Sequence, residues 1–199
     1  IDALCVRVLL KRARQGASLA PFPTLFLCWL VSDVVSMPLI LGWAILNLTP
    51  NLASFLVSSR LLKHPPPDER MPYWHTWQIL FRPIQGLCWG AAAIFFHVEG
   101  ADSFVNDLGV LIVLIAVSAV SIVNMAPSFR TLLGYSSAIL LVPAGYYFWL
   151  GDAQHIMFAV GLVLLWAVAL EVGRDAFRQF ADGLRWGVIN QEISKQLEL

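Results

Sequence analysis

Val110-Leu-Ile-Val-Leu-Ile-Ala-Val-Ser-Ala-Val-Ser-Ile-Val123 lies inside a stretch, residues 108–129, with no charged side chain between Asp107 and Arg130. A helix rises about 1.5 Å per residue, so about 20 apolar residues cross a hydrocarbon layer of roughly 30 Å. Ser118, Ser121 and Asn124 fall three apart, along one face of such a helix. The stretch reads as a membrane span.

Further spans lie on both sides of it. Residues 17–36, 39–62, 77–97, 129–150 and 154–172 are each apolar enough to read the same way. The predicted fold is an all-α membrane protein, a six-transmembrane-helix bundle with cytoplasmic N- and C-termini. Residues 1–16 form a basic amphipathic flank expected to lie along the headgroups. Residues 17–172 form the bundle. The last helix continues without a breaker into residues 173–199, a cytoplasmic signalling helix. Residues 63–76 hold four of the prolines and read as a loop rather than a helix.

Composition agrees. The hydrophobic fraction is 58% and only 13% of residues are charged, against about 25% in soluble domains. Mean hydropathy is +0.71. Eight tryptophans suit two interfacial aromatic belts. Zero net charge argues against a nucleic-acid partner, which needs a concentrated basic surface. Cys5, Cys28 and Cys88 have neither metal nor redox spacing, and read as small hydrophobes. Ile1 is not an initiator methionine, and the chain is expected to be a piece of something longer.

Charge sets the predicted orientation. In the six-span reading all thirteen Lys and Arg fall on one side, in the N-terminal flank, the second-to-third and fourth-to-fifth connections and the tail. Arg82 is counted with them, shortly inside span three. The opposite turns carry only His97, Glu99, Asp102, Asp107, Asp152 and His155. Basic residues mark the cytoplasmic side, so the protein is expected in a cell inner membrane with both termini inside.

Polar groups at membrane depth are costly and usually face protein or a cavity. Asn47 and Asn51 share a helix face, and Pro50 removes the amide that would bond to the Leu46 carbonyl. Gln85 and Trp89 share a face of span three. Together with Asp33, Ser118 and Ser121, these are the candidate ligand-binding residues of a small-molecule pocket. The alternative is plain interhelical hydrogen bonding. Gly86 and Gly90 form a small-xxx-small pair suited to close helix packing. His97, Glu99, Asp102, Asp152 and His155 share the outer side and could together bind a divalent metal, but their spacing matches no ligand pattern, so no metal and no cofactor is expected. No nucleophile-base-oxyanion set and no glycine-rich phosphate loop is present, so no residue is assigned a catalytic role.

Gly86-Leu-Cys-Trp-Gly90, Ala126-Pro-Ser-Phe-Arg130 and Leu141-Val-Pro143, in this order, resemble the six-helix N-terminal membrane module of bacterial sensor histidine kinases. Related modules precede some diguanylate cyclases. The resemblance covers residues 10–199 and implies a homodimer whose sixth helix drives a downstream domain, in the kinases an ATP-dependent autophosphorylating one. Ile189, Ile193 and Leu197 give an apolar stripe, while residues 180–187 break the heptad. The expected function is a sensory input domain for a small, fatty-acid-like or quorum-sensing signal, with the lipid bilayer and a second copy as partners. A small transporter or channel is the rival. It predicts charged groups at span centres, where the sequence shows none.

Overall fold

Proline placement and short turns divide the chain into eight α-helices: α1 (Asp2–Leu19), α2 (Pro21–Leu30), α3 (Met37–Lys63), α4 (Met71–Gly90), α5 (Ala92–Phe95), α6 (Ser103–Met125), α7 (Phe129–Leu150) and α8 (Ala153–Leu197). The computed structural model describes residues 2–100 and 103–197, with side chains for 4–100, 103–187 and 190. A 3₁₀ turn, Asp68–Arg70, precedes α4, and no strand occurs among the described residues.

Two of the breaks are soft. Ala20, between α1 and α2, keeps helical dihedrals of φ −55° and ψ −33°. The Ala20 and Thr24 amides still bond to the Gly16 and Ala20 carbonyls. Pro21 and Pro23 have no amide, so two rungs of the ladder are missing and the rod bends there. Ala91 joins α4 to α5 in the same way, its amide bonding to the Leu87 and Trp89 carbonyls. The result is a bundle of six rods. Four of them, α3, α6, α7 and the Ala153–Gly187 part of α8, are long and apolar enough to cross a membrane. Phe22, Ile45, Leu80, Val105 and Met157 stand exposed around the flanks. So large an apolar surface marks a multi-pass membrane protein, since soluble monomers rarely expose one.

α4 and α7 meet backbone to backbone. A Cβ added to Gly86 would lie 2.6 Å from the Tyr135 carbonyl oxygen, and one added to Gly90 the same distance from that of Ala138. The expected small-xxx-small contact is therefore present, with α7 as the partner. Trp43 fills the core beside it, edge-on to Trp89 and Phe96, and its indole N–H donates to the Cys88 carbonyl at 2.9 Å.

Two expectations need correction. Helix α1 does not present its apolar stripe to headgroups. Val6, Leu9, Leu10, Ala13 and Ala17 are buried, and the helix packs on α3, α4 and α6. An amphipathic pattern is the same whether lipid or protein covers it. The loop after α3 is also shorter than residues 63–76. Only residues 64–67 are irregular, and α4 starts at Met71, because Pro72 occupies the first turn, where its missing amide would have had no partner. An exposed ion pair of 2.8 Å, Arg7 to Asp68, joins this turn to α1.

At the other end of the bundle, Gly151 takes φ +78° and closes α7 with a left-handed cap. Asp152 then starts α8: its Oδ1 accepts from the Gln154 and His155 amides at 3.1 Å each. From there α8 runs 45 residues without interruption, straight through residues 180–187, where the heptad lapses.

Candidate functional site

A chain of polar side chains crosses the apolar interior. Thr24 Oγ1 donates to the Ala20 carbonyl at 2.8 Å and accepts from Asn47 Nδ2 at 2.9 Å. Asn51 Nδ2, one turn on, donates to the Asn47 carbonyl at 2.8 Å. Asn51 Oδ1 accepts from Gln85 Nε2 at 3.1 Å, and Gln85 Oε1 accepts from Arg82 Nη1 at 2.6 Å. Arg82 Nε completes the chain on Gln78 Oε1 at 3.1 Å. The proline at residue 50 shapes this crossing. Gln85 Nε2 also lies 3.4 Å from the Pro50 carbonyl, so α4 reaches the bent part of α3.

Arg82 is the unexpected member. It is only 7% exposed, and it sits in the middle of α4 rather than at a flank. Charge counting had grouped it with the cytoplasmic basic residues, and the absence of charge from span centres is corrected by it. Its partners are the neutral amides of Gln78 and Gln85. Among the described residues no carboxylate lies within ion-pair distance of it. A buried guanidinium without a counterion is costly, and that cost falls when an anion arrives.

A cavity of about 420 Å³ opens beside this cation. Arg82, Gln85, Asn51, Ser121, Asn124, Tyr135 and a second cation, Arg12, supply its polar wall, and Trp89, Ala116, Val117 and Met125 its apolar one. Leu19, Phe22 and Val120 also line it and are exposed on the bundle flank. The mouth therefore opens on the flank of the bundle, between the α1–α2 rod and α6. The volume lies within the usual range for small-ligand sites, about 300–1,000 Å³.

Of the seven residues predicted from sequence, Asn51, Gln85, Trp89 and Ser121 line this cavity. Asn47 is fully buried behind Asn51 and holds it in place. Ser118 is buried but is not among the lining residues. Asp33 is a correction: it is exposed in the turn at residues 31–35, after α2 ends, and takes no part in the site. Arg82, Asn124 and Tyr135 were missed. Asn124 carried a signal, since it continues the face of Ser118 and Ser121.

A second polar group forms at the end of the bundle away from the residue 64–67 loop. His97, on the short link after α5, and His155, in the first turn of α8, both contact Asp107 at the start of α6. Glu99 is exposed, and Asp102 lies outside the described residues. Hydrogen bonds from the His155 side chain and from backbone amides hold the Asp152 carboxyl below its ordinary value. Compared with known proteins, the chain matches no family model, no curated protein and no solved structure.

Proposed function

We propose that this chain is a membrane-embedded sensory input domain whose ligand is a small amphiphile with an anionic head, such as a fatty acid. Its output passes through α8 to a downstream domain, of which a histidine kinase is the leading candidate and a diguanylate cyclase the second. The observation that carries the ligand class is Arg82: a buried cation with no carboxylate within ion-pair distance among the described residues, on the wall of a cavity that opens on the apolar flank of the bundle. A carboxylate head would take the place of the missing counterion while the tail lies along Trp89, Val117 and Val120. The output reading is supported by α8, whose 45 residues reach roughly 67 Å, about twice a hydrocarbon thickness. In this reading six rods span the inner membrane, both termini are cytoplasmic, and the working unit is a homodimer.

The test is equilibrium binding of dodecanoate and dodecanol to the chain in nanodiscs, with a spin label at residue 178 on α8. Dodecanoate is expected to bind and to change the label's mobility. Charge-assisted hydrogen bonds contribute about 1.5–3 kcal/mol, so Arg82→Gln should weaken dodecanoate at least about tenfold and leave dodecanol unaffected. Equal weakening of both, or none, would overturn the assignment. The mid-helix position of Arg82 also favours the rival transporter reading. Protein-dependent flux of dodecanoate across proteoliposomes would decide for it.

A further inference from the structure

Asp107 is fully buried and is shared by two imidazoles that come from distant parts of the chain. His97 Nδ1 lies 3.0 Å from Asp107 Oδ2, and His155 Nε2 lies 3.0 Å from the same carboxylate oxygen. The three donor atoms all fall within 4.8 Å of one another. His155 has its other nitrogen occupied as well, because its Nδ1 contacts Asp152 Oδ2. A carboxylate thus stands at each nitrogen of one ring.

A neutral imidazole has one N–H and one lone pair. It can donate to one of these carboxylates, and its lone pair then faces the oxygen of the other. Something positive must lie between them, either a second proton or a metal ion. A dication between His97 Nδ1, His155 Nε2 and the Asp107 carboxylate satisfies all three groups at once, with His155 left neutral and its one N–H directed to Asp152. The Asp152–His155 contact fits the same reading: a metal-bound histidine usually gives its remaining N–H to a carboxylate, which fixes the ring. Tyr147 stacks on the His155 ring at 5.4 Å and 16°. Its buried hydroxyl has no hydrogen-bond partner among the described residues. Tyr146 packs edge-on against His97 at 5.7 Å. The pocket is therefore walled by aromatic rings.

We propose that His97 Nδ1, Asp107 and His155 Nε2 form a binding site for a divalent transition metal ion, with Asp152 orienting His155 from behind. Two nitrogens and one carboxylate suit Zn²⁺ and its neighbours in the first transition row, with at least one coordination position left for water. The two His–Asp107 spacings of 3.0 Å are those of hydrogen bonds, and all three donor atoms lie within 4.8 Å of one another. Bonds of about 2.0–2.2 Å to a tetrahedral ion set donor spacings of roughly 3.3–3.6 Å, between these values. The site joins the α5–α6 link to the first turn of α8, so occupancy would clamp the start of the output helix independently of the cavity at Arg82.

The experiment uses the full chain in nanodiscs, stripped with chelator, then titrated with Zn²⁺ calorimetrically and with Co²⁺ by visible absorption. One equivalent of Zn²⁺ is expected, and Co²⁺ should give the intense bands of a low-coordinate N/O site. Asp107→Asn and His155→Gln should abolish binding. Because a change at buried Asp107 can disturb folding, exposed Asp152→Asn serves as the second variant. Removing a hydrogen-bonded carboxylate behind a ligand typically lowers affinity about 10–100-fold, with the helical circular dichroism retained. Absence of stoichiometric binding, or binding that survives His155→Gln, would overturn the site. The second outcome would place the ion at His64, His75 or a cysteine.

Discussion

At the scale of single residues the interior is organised around Arg82. Its cost in the empty bundle has a measurable consequence. Arg82→Met keeps most of the stem volume and removes a charge that no carboxylate offsets. Replacing buried charge by apolar groups is often neutral or stabilising, by about 1–4 kcal/mol for buried ion pairs. Thermal unfolding of Arg82→Met in detergent should therefore occur at the same or a higher temperature than for the parent, while dodecanoate binding is lost. A clear fall in melting temperature would show that Arg82 is structural. Glycines give the opposite contrast. Gly86→Ala puts a methyl against the Tyr135 carbonyl at 2.6 Å, and backbone cannot retreat as a side chain can. Overpacking of this kind costs about 1–3 kcal/mol. Gly183→Ala, with nothing within 4 Å, should instead gain about 0.5–1 kcal/mol from helix propensity. The pair is read by thermal melts side by side. Polar side chains at membrane depth made Asn51, Gln85, Trp89 and Ser121 readable from sequence. Arg82 was not, because a basic residue near the start of a span is indistinguishable from a flanking charge until the helix is known to begin at Met71. The His97–Asp107–His155 group was legible in part. The topology puts all three on one side, but they lie 10 and 48 residues apart, and their contact comes from the fold.

The helices themselves were readable wherever a long apolar run left no choice. α3, α6, α7 and the start of α8 follow the runs seen in the sequence. The kinked rods were harder, since a rod with missing amides at Pro21 and Pro23 keeps enough hydrogen bonds to continue while its pattern suggests a new start. Helix α8 carries the functional claim at this scale. In the proposed function its continuity from Ala153 to Leu197 would carry a shift at His155 or along the cavity-facing helices to residue 185. Arg178→Pro removes one amide and clashes with the turn before it, costing about 3 kcal/mol locally. Beyond that point the Phe180 ring lies 5.3 Å from the guanidinium of Arg12, which lines the cavity, so dodecanoate affinity should fall by less than the roughly tenfold expected of Arg82→Gln. A spin label at residue 185 should then stop responding to ligand, while one at residue 170 still does. Loss of binding in Arg178→Pro would mean that the tail helps to form the cavity, and continuity would no longer be its contribution.

Across the whole molecule the two ends differ in chemistry as well as in shape. Arg7, Lys63, Arg70, Arg130 and Arg185 gather at the end that holds α1 and the residue 64–67 loop, whereas His97, Glu99, Asp107 and Asp152 occupy the other. Exposed aromatics follow the same division, with Tyr73 and Trp186 towards the basic end and Trp29 and Trp149 towards the acidic one. Such belts sit where rings meet headgroups. Removing Arg82 from the tally of flanking charges leaves this asymmetry intact, because the opposite end still holds no Lys or Arg among its described residues. The proposed orientation rests on it, since basic residues mark the cytoplasmic side. Glu99→Cys and Arg185→Cys, each made with the three native cysteines replaced by alanine, test it in intact cells. A membrane-impermeant maleimide should label residue 99 from outside and residue 185 only after the membrane is opened. Labelling of both from outside would mean that an even number of rods crosses between them, against the three, α6, α7 and α8, of the proposed topology. The α8 tail would then project away from the cell interior, to a side where a kinase or cyclase domain has no nucleotide to use.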